Sequence, residues 1–366
     1  MRVKLCRECG VPKRLSKGYR WPGNGAILSR LDPSMRMVIF EAGYFPHVWK
    51  ELEDRLHASA SDLMIRGQQA AAWDYMEVNV AFGWRKLAIR LLPVVPVINR
   101  AVSELAVLGL GRVEVTRYRR GKLLLFKVYN PFDIISVIWG AKGILQYMEG
   151  KRAEMAWTRE DDTYTVSAVV RPGGEMRESV DEETVRSLRE AKAELLAASE
   201  ALLPARRKEE RCPLCGVPAA LRGLEWIPEE GLILHRGTGI RYVFTTGHVF
   251  VGVIKDLERV TGQDLEPLIT EITKHYHLMQ LKGTPAGERG AAYEKLSSYM
   301  SAFGFGEVTE LSYGEGHLEM KVANPFYIPR LVGRVAAVFE HVEEQGSEAS
   351  YARTGPGMLE IEVRTV

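Results

Sequence analysis

The sequence predicts an α+β protein written twice: two similar domains, each a helical layer packed on an antiparallel β-sheet, related by a pseudo-twofold axis. Three observations carry this reading. All four cysteines fall in two copies of one phrase, "CRECGVP" at 6–12 and "CPLCGVP" at 212–218. The landmarks after each copy recur in one order, with an offset that drifts only from about 206 to 194, so the repeat is a duplicated domain and not a solenoid unit. Within each copy, apolar positions at helical spacing come first and alternating runs rich in β-branched residues come last.

Composition sets the outer limits. A chain of 366 residues with 46% hydrophobic and 26% charged content can hold two or three domains with a sizeable core. The net charge is +2 with the two signs interspersed, which argues against a nucleic-acid or anionic-membrane partner. Charged residues stand where a signal peptide would carry its apolar run. The longest apolar stretches are broken before about 18 residues, so no membrane span and a cytoplasmic location are expected. In that reducing compartment, paired C-x-x-C motifs favour metal binding or redox work over structural disulfides.

The predicted boundaries are a first knuckle segment at 1–24, a first domain at 25–172, a helical linker at 173–208, a second knuckle segment at 209–229 and a second domain at 230–366. Trp21 and Trp226 follow the knuckles. "MRMVIFEAGYF" then answers "IRYVFTTGHVF", setting Arg36 against Arg241 and Gly43 against Gly247. "MRMVIF" has the content of a short strand. Phe45, Val48, Trp49, Leu52 and Leu56 form a helical stripe, as do Phe250, Val253, Ile254 and Leu257.

More helix is predicted from Ser61 to about Val78 and from Gly83 to about Leu108, the latter kinked or broken by Pro93 and Pro96. Counterparts run from Leu265 to Met279 and from Ala291 to Phe303. Gly109 with Gly111, and Gly304 with Gly306, follow helices and precede strands. That order is the reverse of a dinucleotide fingerprint and fits helix C-caps.

"RVEVTRYRRGKLLLFKVYN" reads as a hairpin turning at Gly121. Asn130-Pro131 and Asn324-Pro325 read as an N-cap followed by proline at the first helical position. A helix through Ile135, Ile138 and Leu145 precedes two closing strands, "AEMAWTRE" and "TYTVSAVV". Between the copies, Ser179 or Asp181 can cap a linker helix with apolar positions Val185, Leu188, Leu195 and Leu202, which Pro204 stops.

This order, a Gly-x-Gly helix end, a hairpin, a capped helix containing Gly140 and Gly143, and a closing hairpin, resembles the 4-vinyl reductase domain family. That family shares its fold with trafficking subunits of TRAPP complexes and with the sensor domains of phenol- and xylene-responsive activators. The resemblance covers roughly 25–171 and 230–366. It implies an apolar pocket between helices and sheet that binds a hydrocarbon-like or aromatic small molecule, and a tendency to dimerise. Sensor-type members carry a cysteine-linked metal near the domain end. No cysteine lies between Cys9 and Cys212 or after Cys215, so that site does not transfer.

Each C-x-x-C-G turn can offer one ion two thiolates, with the glycine letting the turn close. Structural zinc wants four ligands, and His47 and His235 are each separated from their own knuckle by at least a predicted strand. The economical solution is that Cys6, Cys9, Cys212 and Cys215 share one structural zinc across the pseudo-twofold axis. Iron in a rubredoxin-like site uses the same ligands, and thiols or disulfides without metal remain the plain alternative. Redox catalysis lacks the strand-to-helix context of a thioredoxin motif.

Tyr44, Trp49, Trp73, Trp84 and Trp139 fall on predicted inward faces, as core or as pocket lining. Gly140 and Gly143 stand where the second copy has Arg334 and Ala337, so the first copy is the better candidate for a pocket. Arg117, Arg119, Arg120 and Lys122 form a basic but solvated hairpin tip. His275 and His277 lie on different faces of a helix.

No nucleophile motif, phosphate loop or catalytic carboxylate pair stands out. The expected function is therefore non-enzymatic binding or sensing of an apolar or aromatic small molecule. The alternatives are an interaction scaffold of the trafficking-subunit type, or an accessory protein in tetrapyrrole or aromatic reduction.

Overall fold

The computed structural model describes residues 3–32, 35–57, 59–76, 95–171 and 182–366. Its architecture is mixed α/β, with helices packed on three antiparallel sheets.

The first half opens with helix α1 (Lys13–Gly18) and strands β1 (Tyr19–Arg20), β2 (Ile27–Ser29) and β3 (Arg36–Glu41). Helices α2 (Tyr44–Leu56), α3 (Ala60–Tyr75) and α4 (Val95–Val107) follow. Next come hairpin β4 (Arg112–Arg119) and β5 (Leu123–Tyr129), helix α5 (Ile134–Glu149), and hairpin β6 (Ala153–Glu160) and β7 (Thr163–Val170). Helix α6 (Glu182–Glu200) leads to the second half.

There, β8 (Leu224–Ile227), β9 (Leu232–His235) and β10 (Arg241–Thr246) precede α7 (His248–Thr261), α8 (Glu266–Leu281) and α9 (Arg289–Phe303). The half closes with β11 (Glu307–Gly314), β12 (His317–Ala323), α10 (Ile328–Glu343), β13 (Ser347–Gly355) and β14 (Met358–Thr365).

The closing sheets have one topology: β4-β5-β7-β6 and β11-β12-β14-β13. The third sheet was not foreseen from the sequence. It has six strands in the order β1-β2-β3-β10-β9-β8, three from each half, joined where β3 pairs antiparallel with β10. Ile39 faces Phe244 in that register. When Arg36 is set against Arg241, these two are themselves matched positions. Every residue of β3 is buried, which explains why "MVIF" reads as an unbroken apolar run and not as an alternation.

The same register places Arg36 of β3 over the second half. Its guanidinium donates to the carbonyls of Asn324 (2.5 Å), Gly304 (3.1 Å) and Pro325 (3.4 Å). Arg241 of β10 reaches the other way, to the carbonyls of Asn130 (2.6 Å), Gly109 (2.9 Å) and Pro131 (3.0 Å). Hydrogen bonds from a charged donor contribute about 1.5–3 kcal/mol each, so the two clasps are strong ties between the halves.

Backbones meet beside them. A Cβ on Gly25 would lie 2.0 Å from the Gly306 carbonyl carbon, and one on Gly231 would lie 2.2 Å from that of Gly111. Gly304 is the left-handed cap of α9, as its spacing predicts. Gly306 and Gly111 serve this close approach as well.

The Asn-Pro pairs correct the sequence reading. The cap of α5 is Asp133, whose carboxylate accepts from the amides of Ile135 and Ser136. Asn130 and Asn324 adopt left-handed backbone, φ +48° and +54°, which asparagine tolerates better than most residues. Their side chains donate to the carbonyls of Glu230 and Asn24, each in the opposite half. The Asn-Pro turn is thus a corner that presents carbonyls to the arginine clasp.

Pro96 is the second described residue of α4. The predicted helix before it falls on 77–94, outside the described residues. So do the proposed caps Ser179 and Asp181 of the linker helix. That helix, α6, packs on α3 and α7. Its Lys192 bridges Asp74 (2.9 Å) and Asp32 (3.6 Å), and its Ser187 donates to buried Asp256. Among the described residues, no helix is long and apolar enough to cross a membrane.

Candidate functional site

Both knuckles fold alike. Cys6 N donates to the Val11 carbonyl at 2.9 Å and Gly10 N to that of Cys6 at 3.0 Å; the second copy repeats this with Cys212, Val217 and Gly216 at 2.8 and 2.9 Å. Gly10 and Gly216 take φ of +77° and +73°, conformations open to glycine at no steric cost. The turns come together, with Cys6 Sγ 3.8 Å from Cys212 Sγ and Cys9 Sγ 3.4 Å from Cys215 Sγ. All four sulfurs lie within 4.8 Å of one another.

These separations are far from the ~2.05 Å of a disulfide. A tetrahedron with metal–sulfur bonds of ~2.3 Å has edges of about 3.8 Å, so the cluster has the dimensions of a four-thiolate metal site. Burial raises Cys9 and Cys215 above the ordinary thiol range. Burial also acts against ionisation of Cys6, but the amides of Cys9 and Glu8 outweigh it and bring that thiol down to about 7. Arg222, after the second knuckle, pairs with Glu8 of the first at 3.3 Å.

The predicted ligand-binding residues do not converge on one space. Tyr44 is fully buried, sharing a 2.8 Å hydrogen bond with Thr273 of the second half. Trp49 is also buried, and both rings pack on Phe250. Trp73 packs edge-on against Tyr147, at 4.7 Å between ring centroids. Trp139 is half-buried under the Lys142 ammonium, 4.2 Å from the ring centre. Gly143 lets α5 cross α3, since a Cβ there would lie 2.5 Å from the Gln69 carbonyl oxygen. Gly140 has no described atom within 4 Å of its Cβ position. Trp84 lies outside the described residues.

A cleft of about 180 Å³ opens where α2, α3 and α5 meet, lined by Trp49, Lys50, Glu53, Met64, Asp133 and Ile135 among others. A broader depression of about 470 Å³ around Leu278, Thr284, His341 and Glu344 is open to solvent, and none of the predicted ligand-binding residues lines it.

One group of buried residues escaped the sequence reading. Glu41, on β3 of the first half, accepts from Arg330 (2.5 Å), Arg334 (2.5 Å) and Tyr299 (2.8 Å) of the second. The Arg330 guanidinium lies within 4.2–4.7 Å of the ring centres of Phe40, Tyr44 and Phe305. Burial alone would raise the Glu41 carboxyl, but Arg334 and Arg330 hold it well below the carboxylate range. Burial and Arg334 push His277 well down, keeping it neutral. A signal was present: charges at 41, 330 and 334 interrupt otherwise apolar runs, "MVIFEAG" and "IPRLVGRVAAVF".

The matched helices thus fill their interiors differently. α10 carries Arg330 and Arg334 where α5 carries Ser136 and Gly140. Among the described residues, the sheet of the second half belongs to the large core shared by both halves. The sheet of the first half packs with α5 in a separate apolar cluster.

No family model matches this chain, and no curated protein or solved structure is significantly similar to it.

Proposed function

We propose that this chain is a non-enzymatic binder of an apolar small molecule, its two halves related by an approximate twofold axis through the Ile39–Phe244 pair and stapled by one structural zinc. The observation that carries the binding role is the exchange of Arg330 and Arg334 for Ser136 and Gly140. The second half fills its interior with an ion cluster sealed by aromatic faces. The first half leaves Gly140 without a described neighbour and keeps the cleft at Trp49. Binding there works by burial of apolar surface, at roughly 25 cal/mol per Å². The resemblance to the 4-vinyl reductase domain family points to the same ligand class.

The four sulfurs would hold zinc with no position left for water or substrate, so the metal's role is to join the knuckles. Native mass spectrometry of the purified protein tests both parts. One zinc per chain supports the shared site, and two sink it. An added mass of a few hundred daltons, or a rise in melting temperature with acyl or aromatic compounds, supports binding. A protein that carries no such mass and gains no stability from any of them is not a binder of this kind.

A further inference from the structure

Lys142 is half-buried, yet it has no hydrogen-bond or ion-pair partner among the described residues; its one contact of note is the Trp139 ring at 4.2 Å. Burial lowers its pKa, and no carboxylate stands close enough to offset this. The contrast with other half-buried lysines is direct: Lys192 pairs with Asp74 at 2.9 Å, and Lys274 with Glu340 at 2.9 Å. The Trp139 indole N–H beside it is buried and has no acceptor either. A buried donor without a partner costs about 1–3 kcal/mol, so the Trp139 N–H, three residues from an ammonium with no counter-charge among the described residues, calls for an acceptor from elsewhere.

The position of these donors suggests the ligand. Ile135, Trp139 and Lys142 follow at i, i+4 and i+7 on α5, one stripe of the helix. Ile135 lines the 180 Å³ cleft with Trp49 and Met64. The stripe therefore runs for roughly 10 Å from the Trp49–Met64–Ile135 side of a cleft that also carries Lys50, Glu53 and Asp133 to an unpaired ammonium.

We propose that the ligand of the first half is an amphipathic acid: an alkyl or aryl group in the Trp49–Met64–Ile135 cleft and a carboxylate at Lys142 and the Trp139 N–H. This rests on the binding role proposed above and adds the head group. The second half supports the assignment by contrast. Its α10 has Gly333 and Ala336 at the positions of Trp139 and Lys142, and its interior is already neutralised by Glu41.

Calorimetric titration of the metal-loaded protein with sodium octanoate and with 1-octanol tests it. Octanoate is expected to bind at least about tenfold more tightly than octanol. Lys142→Met should abolish that preference while leaving octanol affinity unchanged, and Lys142→Arg should keep it. Unchanged octanol binding and metal content also show that the Met variant is folded. Equal affinity of the two compounds for the unmodified protein, or a preference that survives Lys142→Met, overturns the acid assignment and leaves the binding role standing. Failure of both compounds to bind overturns the two together.

Discussion

Replacing Glu41 by Gln tests the account of the interior most sharply. The side chain keeps its shape, and what is lost is the negative charge between two guanidinium groups. Glu41 is only 2% exposed and Arg330 0%, so water cannot replace the lost charge. Removing one member of such a buried ion group costs about 3–5 kcal/mol, because the remaining charge stays in a poor solvent. Part of that is offset here, since the ring faces of Phe40, Tyr44 and Phe305 stabilise Arg330, which places the expectation near 3 kcal/mol. With a urea dependence of about 3 kcal/mol per molar for a chain of this size, the unfolding midpoint should fall by about 1 M. Replacing the whole group, as Glu41→Leu with Arg330→Met and Arg334→Met, removes every charge of the group, and the midpoint should fall much less. A midpoint for Glu41→Gln within about 0.3 M of the parent, or a triple variant as unstable as the single one, would refute the reasoning.

Other outcomes follow from the same contacts. Cys9→Ser should lose the metal and lower the melting temperature, read by mass spectrometry and calorimetry on one sample; retention of a full metal equivalent would mean that the four sulfurs do not act as one site. Gly25→Ala and Gly231→Ala should each cost several kcal/mol, because both take left-handed φ (+75° and +73°) and have no room for a methyl group. Gly140→Ala, in a helix where no described atom lies within 4 Å of the Cβ position, should raise stability by about 0.5–1 kcal/mol, which thermal unfolding can check. His248 is held down to about 4, chiefly by burial, and burial with Arg334 also holds His277 well below the ordinary imidazole range, so the unfolded chain takes up their protons first. Stability should therefore fall as pH drops from about 6.5 towards 4, less steeply in His248→Gln. Glu41, with its pKa depressed, adds to the loss only below the unfolded carboxylate value of about 4.3. A stability curve flat between pH 6.5 and 4.5 would contradict the assignment of both histidines.

The sequence made local structure and correspondence legible. Cys6 with Cys212, Arg36 with Arg241 and Gly109 with Gly304 could be matched by spacing alone, and the knuckle glycines and hairpin turns declared their backbone needs. The directions of contacts between the halves were hidden. The hydrophobic period of β3 says that both of its faces are covered, but not that β10 lies beside it or that Arg36 reaches across to the Asn324 turn. Asn130-Pro131 was misread because asparagine suits both a helix cap and a left-handed corner, and only the carbonyls' partner distinguishes the two. Glu41 and Arg330 went unnoticed, and Arg334 was read only as the counterpart of Gly140, because each is an isolated charge in its own run; they become a group only once strand and helix from opposite halves are in contact.

The ion group has a consequence for how such a molecule can change. The position matching Glu41 in the second half is Thr246, and those matching Arg330 and Arg334 in the first are Ser136 and Gly140. In an assembly of two identical chains, any residue placed at the interface appears twice, and a cluster that plugs one chamber plugs both. Joining the copies in a single polypeptide lifts that restriction. One interior can then carry the ion group that ties the halves together while the matched positions of the other hold different residues, as Ser136 and Gly140 do here.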